Sequence, residues 1–372
     1  MTAAEVPSKP NENAFAGRLT SIDALRGFDM FWILGGDFLV RSLPSIHDSP
    51  LTHSLAAQME HCPWAGFHFY DFIFPLFIFI AGISLVFSLT RMLEREGRRT
   101  TVKRICARSI LLFFLGVFYM GGIANGVHNI YLAGVLQRIA GAYFFAALFF
   151  CFFRLRSLVG ITFSLLVGYW ALMTFVPVPG IGAPSLAEPG KNLAHYLDVR
   201  FLPGQKFEGT LLSTMGAVAN CLMGVFAGLL LKNERIPAQQ KVYFVGAGGI
   251  ISLSLGFVWG IEFPIVKLLW TSSYVLVACG YAALLLAIFF QVIEIWAWRK
   301  WALPFVWIGM NALPIYIIAG AVNFRRLAER FAGGDVKNLL GNYGQFGMGL
   351  FAVGLALWLA VFLYRRKIFL RV

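Results

Sequence analysis

Ten apolar stretches decide what this chain can become. They run over residues 20–43, 68–92, 104–124, 131–153, 157–177, 211–232, 242–262, 270–294, 301–322 and 345–365. Each has the roughly 20 mostly apolar residues that a helix needs to cross a bilayer. In lipid the backbone must satisfy its own hydrogen bonds, so such runs are helical. The expected fold is an all-α polytopic membrane protein with about ten transmembrane helices. Composition agrees: 59% of residues are hydrophobic and 13% charged, against ~25% charged in an ordinary soluble domain. A soluble globular enzyme, a disordered chain and a disulfide-rich secreted module are excluded. The five cysteines show no paired spacing, so no disulfide or zinc framework is expected.

The net charge of +13 would suggest nucleic acid in a soluble protein. Here the basic residues sort by loop. The 91–108 connection is the richest, with Arg91, Arg95, Arg98, Arg99, Lys103, Arg104 and Arg108. With the polar tail, the other connections on that side and the C-terminus, it gathers 20 of the 31 Lys and Arg; the alternate loops hold nine. Cytoplasmic loops carry the Lys/Arg excess, so both termini are expected in the cytoplasm and no nucleic-acid partner is expected. Residues 1–17 read as a flexible cytoplasmic tail without the short apolar core of a signal peptide. Residues 18–372 read as one transmembrane domain. The longest connections, 44–67, 178–210 and 323–344, fall on the opposite side.

Charges within spans cost a few kcal/mol on insertion scales and mark candidate sites. The first span carries Asp23, Arg26, Asp29 and Asp37. Arg26 is spaced three residues from Asp23 and from Asp29, as in a local ion pair. Asp37 has only Arg41 nearby, one turn on, and is a functional candidate. Arg138 either binds an anionic group such as a phosphate or neutralises Asp37 or Asp71. Gly216, Asn220, Gly224 and Gly228 recur every fourth residue, a packing seam in which Asn220 is interhelical glue or a ligand contact. Asn311 lies between Pro304 and Pro314, which suggests a kinked helix lining a cavity.

Six histidines fall outside the spans or at their ends. His47, His53 and His195 read as solvated. His61 stands in His61-Cys62-Pro63-Trp64-Ala65-Gly66, just before a helix that opens with Asp71 and continues to Pro75. A histidine with carboxylates nearby has the chemistry of a general base. His61, Asp37 and Asp71 are placed at the same depth, which leaves their convergence open. No zinc-protease, nucleophile-elbow, P-loop or dinucleotide motif is present, and no metal is expected.

The block Arg18-Leu19-Thr20-Ser21-Ile22-Asp23-Ala24-Leu25-Arg26-Gly27-Phe28-Asp29-Met30 resembles the opening of the heparan-α-glucosaminide N-acetyltransferase family and its bacterial relatives. His61–Gly82 is similar to the family's most telling stretch. Gly134–Arg138, Gly209–Ser213, Leu269–Tyr274 and Gly309–Ala312 keep the family's order. The resemblance implies a transmembrane acyltransferase of a bacterial cytoplasmic membrane. It would move an acetyl group from cytoplasmic acetyl-CoA to an amino sugar on the other side. The family's essential histidine corresponds to His61, and a family asparagine corresponds to Asp37. A family His-Glu pair corresponds to Ala319-Gly320 and is absent.

Under this resemblance His61, Asp37 and Asp71 are the catalytic candidates. His61 would either deprotonate the acceptor amine or carry the acetyl group itself. Arg26, Gln137, Arg138, Asn220, Trp270, Ser273 and Asn311 are candidates for holding acetyl-CoA. A homodimer is expected by resemblance alone. The competing class is a proton- or ion-coupled transporter of a small polar solute using the same buried charges, against which the lack of an internal repeat counts.

Overall fold

The computed structural model describes residues 19–124, 126–203 and 210–369. The tail expected over 1–17, and with it Arg18, lies outside these residues, as does Gly209. The described residues form helices and no strand, in the order α1 Thr20–Phe31, α2 Asp37–Arg41, α3 Leu43–Ile46, α4 Pro50–Gln58, α5 Phe69–Tyr119, α6 Val135–Phe152, α7 Leu155–Phe175, α8 Leu193–Phe201, α9 Thr210–Lys232, α10 Ala238–Trp259, α11 Ser272–Phe290, α12 Leu303–Met310, α13 Ala312–Val322, α14 Phe324–Ala332, α15 Asp335–Leu339 and α16 Gly344–Arg365. Among the described residues, seven helices are long and apolar enough to cross a membrane, or eight if the bent pair α12–α13 is one span.

The count falls short of the ten expected segments, and the reasons are local. The first is divided: a π-helical turn, Trp32–Gly36, separates α1 from α2, and Gly35 adopts φ +131° there, a conformation glycine reaches without a Cβ penalty. The second and third fall on α5, 51 residues long and broken at Gly97 with φ +75°. That break sits in the basic 91–108 connection. The ninth segment is bent by 72° at Asn311 between α12 and α13, as its two prolines suggested.

Close approach of backbones sets the core. Gly82 and Gly224 leave no room for a Cβ where α5 crosses α9, and Gly27 and Gly309 do the same where α1 crosses α12. The every-fourth-residue seam of α9 is thus a packing seam, as small residues in membrane helices usually are. Around it the largest core cluster joins α5, α6, α9 and α11. A second joins α1, α12 and α16. A third gathers Tyr169, Val178, Leu193, Phe263, Val266 and Leu269, and it anchors the connections that carry the site.

Candidate active site

α5 begins at a carboxylate. Asp71 stands in its first turn, where free backbone N–H groups favour an acceptor. Its Oδ2 accepts the His68 and Cys62 N–H groups, each at 3.1 Å. This folds the 61–68 loop back over the helix start. Oδ1 then faces His61 Nδ1 at 2.9 Å and Lys267 Nζ at 3.2 Å. Asp71 is fully buried, whereas the His61 side chain is 56% exposed. A buried charge is tolerated when it is paired and hydrogen-bonded, and Asp71 meets that condition on both oxygens.

Pro75 explains a further contact. It has no N–H to give to the carbonyl four residues back, which is that of Asp71. The Tyr274 hydroxyl donates to this carbonyl instead, at 2.7 Å. The Pro75 carbonyl accepts Asn220 Nδ2 at 3.1 Å. The proline thus ties the start of α5 to α9 and α11.

The loop before α5 and the connection between α10 and α11 are stitched together. Gly66 donates its N–H to Ile265 O at 2.9 Å, beside an antiparallel bridge between Ala65 and Val266. Gly66 has φ +136°, which is why a glycine closes the His-Cys-Pro-Trp-Ala-Gly motif. Trp64 Nε1 donates to Leu186 O at 2.8 Å. The stitching carries Lys267 to His61: Nζ lies 2.9 Å from Nδ1 and 3.4 Å from Nε2. Burial lowers the Lys267 ammonium to about 8, against the opposing pull of Asp71.

These groups line a cavity of about 600 Å³. Its walls include Trp64, Tyr70, Tyr131, Trp270 and Tyr316, an aromatic surround with few charges. Arg138 also lines it. Among the described residues Arg138 forms no ion pair; its guanidinium lies 4.8 Å from the centre of the Trp270 ring. Trp270 has φ +53°, sparsely populated for a bulky residue and held only where the surroundings over-determine it.

A second cavity, of about 280 Å³, is lined by Arg26, Ser84, Arg108, Tyr143 and Asn311. Ser84 and Arg108 stand on the two arms of α5, on either side of the Gly97 break. Ser84 is 13 residues beyond Asp71, hence about 20 Å along α5. Phe77, Leu136, Ile139 and Leu313 line both cavities and form the wall between them. Arg26 is pinned by Asp23 at 3.2 Å, Gly309 O at 3.3 Å and Ser84 Oγ at 2.6 Å. Asn311 is buried, and among the described residues neither of its amide atoms has a hydrogen-bond partner.

A model of the heparan-alpha-glucosaminide N-acetyltransferase catalytic region matches residues 18–203, half of the sequence. The chain belongs to this family. It is 27% identical to the mouse heparan-alpha-glucosaminide N-acetyltransferase over 323 residues, covering 69% of this chain and 48% of the relative. To the human protein of that name it is 26% identical over 430 residues, covering 97% of this chain and 61% of the relative. The chain therefore spans between about half and three fifths of the length of these curated relatives. The matched N-acetyltransferase region contains Arg26, Asp37, His61, Asp71 and Arg138; Lys267, Trp270 and Asn311 lie beyond it.

The sequence candidates separate in space. His61, Arg138 and Trp270 share the larger cavity, with Asp71 buried behind His61, and Arg26 and Asn311 share the smaller. Asp37 pairs with Arg41 at 3.7 Å and lines a third cavity, with Ile33 and Tyr70 common to it and the His61 cavity. Gln137 is buried and donates to Tyr131 O at 3.0 Å. Ser273 donates to Phe263 O at 2.6 Å, holding the α10–α11 connection. Asn220 bridges α9 to α5. These three brace the site from behind. Lys267 and Arg108 are the charged lining residues that sequence reasoning left among the loop charges. The one signal for Lys267 was its place two residues before the Leu269–Tyr274 block.

Proposed function

We propose that the chain is a transmembrane acetyltransferase that moves the acetyl group of acetyl-CoA to the amine of an amino sugar across the membrane. The observation that carries this reading is the pair of cavities meeting at a thin apolar wall, with the His61–Asp71 pair in one and arginines in the other. In this reading the basic connection and both termini are cytoplasmic, by the Lys/Arg bias of cytoplasmic loops, and the smaller cavity, lined by Arg108 of that connection, receives acetyl-CoA. Arg108 fits its phosphates, beside an Arg26 already held by Asp23, Gly309 and Ser84, and the unpartnered Asn311 amide fits the amide groups of its arm. The aromatic surround of the larger cavity fits a sugar ring.

Asp71 accepts the Nδ1 proton of His61 and leaves Nε2 as the base facing the larger cavity. His61 takes a proton from the acceptor amine as its nitrogen attacks the thioester carbonyl. The C–N bond forms, the C–S bond breaks, and the imidazolium returns the proton to the departing sulfur. The wall residues keep water from the thioester.

Acetyl transfer from radiolabelled acetyl-CoA to glucosamine and a panel of sugars and amines tests this in reconstituted vesicles. His61→Ala is expected to lower transfer by roughly 10²- to 10⁴-fold while the protein remains folded. Full activity in that variant overturns the assignment. Accumulation of the unmodified sugar in vesicles lacking acetyl-CoA would instead favour a transporter.

A further inference from the structure

The three groups at the mouth of α5 cannot all be hydrogen-bonded at once. His61 Nδ1 lies 2.9 Å from Asp71 Oδ1 and 2.9 Å from Lys267 Nζ, and Lys267 lies 3.2 Å from the same Asp71 oxygen. If Nδ1 carries a proton, it donates to Asp71 and has no lone pair for an ammonium. If Lys267 is charged, it donates to both Nδ1 and Asp71, and the imidazole proton must then sit on Nε2. Each arrangement satisfies two contacts of the triangle and opposes the third.

We propose that Lys267 is a positioning residue whose charge sets which nitrogen of His61 bears the proton. The charged lysine holds the Nε2–H form, which cannot act as a base toward the larger cavity. Loss of the lysine proton to water frees Nδ1–H to turn to Asp71 and exposes the Nε2 lone pair. The proposal rests on the reading of His61 as the base, and gives that base a gate.

The surroundings allow Lys267 to titrate where this matters. It is largely buried, its side chain 17% exposed. Burial and the nearby Arg138 lower its ammonium to about 8, with Asp71 opposing. The other charged and titratable groups close to the imidazole are accounted for. Tyr70 packs on it with ring centres 4.9 Å apart, and Arg41 lies over the other ring at 5.6 Å from the Tyr70 centre. His68 is turned to Glu60 O at 3.0 Å. The Cys62 thiol is directed to Ala65 O at 3.2 Å.

Diethyl pyrocarbonate, which modifies the free lone pair of an uncharged imidazole, reads this gate without any acetyl transfer. The rate of His61 modification would be followed by peptide mass spectrometry. In the parent it is expected to rise roughly tenfold from pH 7 to pH 9, the growth in uncharged lysine for a group titrating near 8. Lys267→Met is expected to give fast labelling that is flat over this range. Lys267→Arg, always charged, is expected to stay slow throughout. A flat parent profile, or a rise retained in the methionine variant, overturns the proposal. If Lys267→Met does not fold, the parent and arginine profiles decide it.

The pH dependence of kcat/KM on a single acceptor should lose the same limb in Lys267→Met. A bracing role for Lys267 would lower activity at every pH and leave the limb in place. Labelling that behaves as expected in a protein that transfers no acetyl group would sink the acetyltransferase reading and leave the gate standing. The converse result would do the opposite.

Discussion

The His61 cavity and the Arg26 cavity share four wall residues, yet their charges are held in different ways. Around Arg26 the charge is spent internally. Its guanidinium is taken by Asp23, Gly309 and Ser84, and the group left without a partner is a neutral amide, Asn311. Around His61 the carboxylate is satisfied on both oxygens, but the imidazole is shared between Asp71 and Lys267 and stands open to the cavity. One side offers fixed positive charge and an idle amide, suited to gripping a ligand. The other offers a proton whose position is undecided, suited to moving one. The difference is chemical rather than a matter of depth, and it predicts different kinetic losses on the two sides.

The largest expected effect is at Asp71. Asp71→Asn keeps an oxygen for the Cys62 and His68 N–H groups but puts an amide toward His61 and Lys267. The amide cannot accept the Nδ1 proton and oppose the lysine charge as the carboxylate does. We expect kcat to fall on the order of 10³-fold, with KM for acetyl-CoA nearly unchanged. A loss confined to KM would mean that this side grips the donor, and the contrast between the cavities would collapse. Circular dichroism and thermal unfolding separate this loss from misfolding.

What the sequence made legible follows from the range of each interaction. Helices were legible because apolar runs are local; the break at Gly97 and the π-helical turn at Gly35 were not, since each depends on one backbone angle. Asp71 was legible as one of two carboxylate candidates for His61, ten residues away across a helix start; which of the two meets the imidazole was not. Lys267 is 206 residues from His61 and arrives through the bridge between Ala65 and Val266. In a charge tally it is one loop lysine among several. Asn220 looked equally like glue and ligand contact, because spacing fixes the face of α9 but not what packs there. Its Nδ2 donates to the Pro75 carbonyl, a contact 145 residues away in the chain that no spacing within α9 foretells. Asp37 shows the same limit from the other direction: depth along a helix says nothing about azimuth once a π-helical turn rotates the chain.

A middle-sized effect is expected on the Arg26 side. Asn311→Leu preserves size and the bend between α12 and α13 while removing the idle amide. If the amide meets the arm of acetyl-CoA, KM for the donor rises about tenfold, the worth of one or two hydrogen bonds to a buried group, and kcat holds. Isothermal binding of CoA alone measures the same loss without turnover. A fall in kcat with unchanged CoA affinity would place Asn311 with the proton-moving side.

The smallest effect is expected where the sequence placed a catalytic carboxylate. Asp37 pairs with Arg41 at 3.7 Å, with side chains 18% and 36% exposed. A half-buried ion pair at that distance contributes on the order of 1 kcal/mol. Arg41 keeps other ties in Asp37→Asn: it donates to Met59 O and lies over Tyr70. Asp37 lines the third cavity beside Tyr70, whose ring packs on the imidazole, and removal of its charge should alter kcat/KM by less than about threefold and leave the pH profile in place. A loss approaching that of Asp71→Asn would show that Asp37 moves onto His61 during turnover, and the charge separation between the cavities would then belong only to the resting protein.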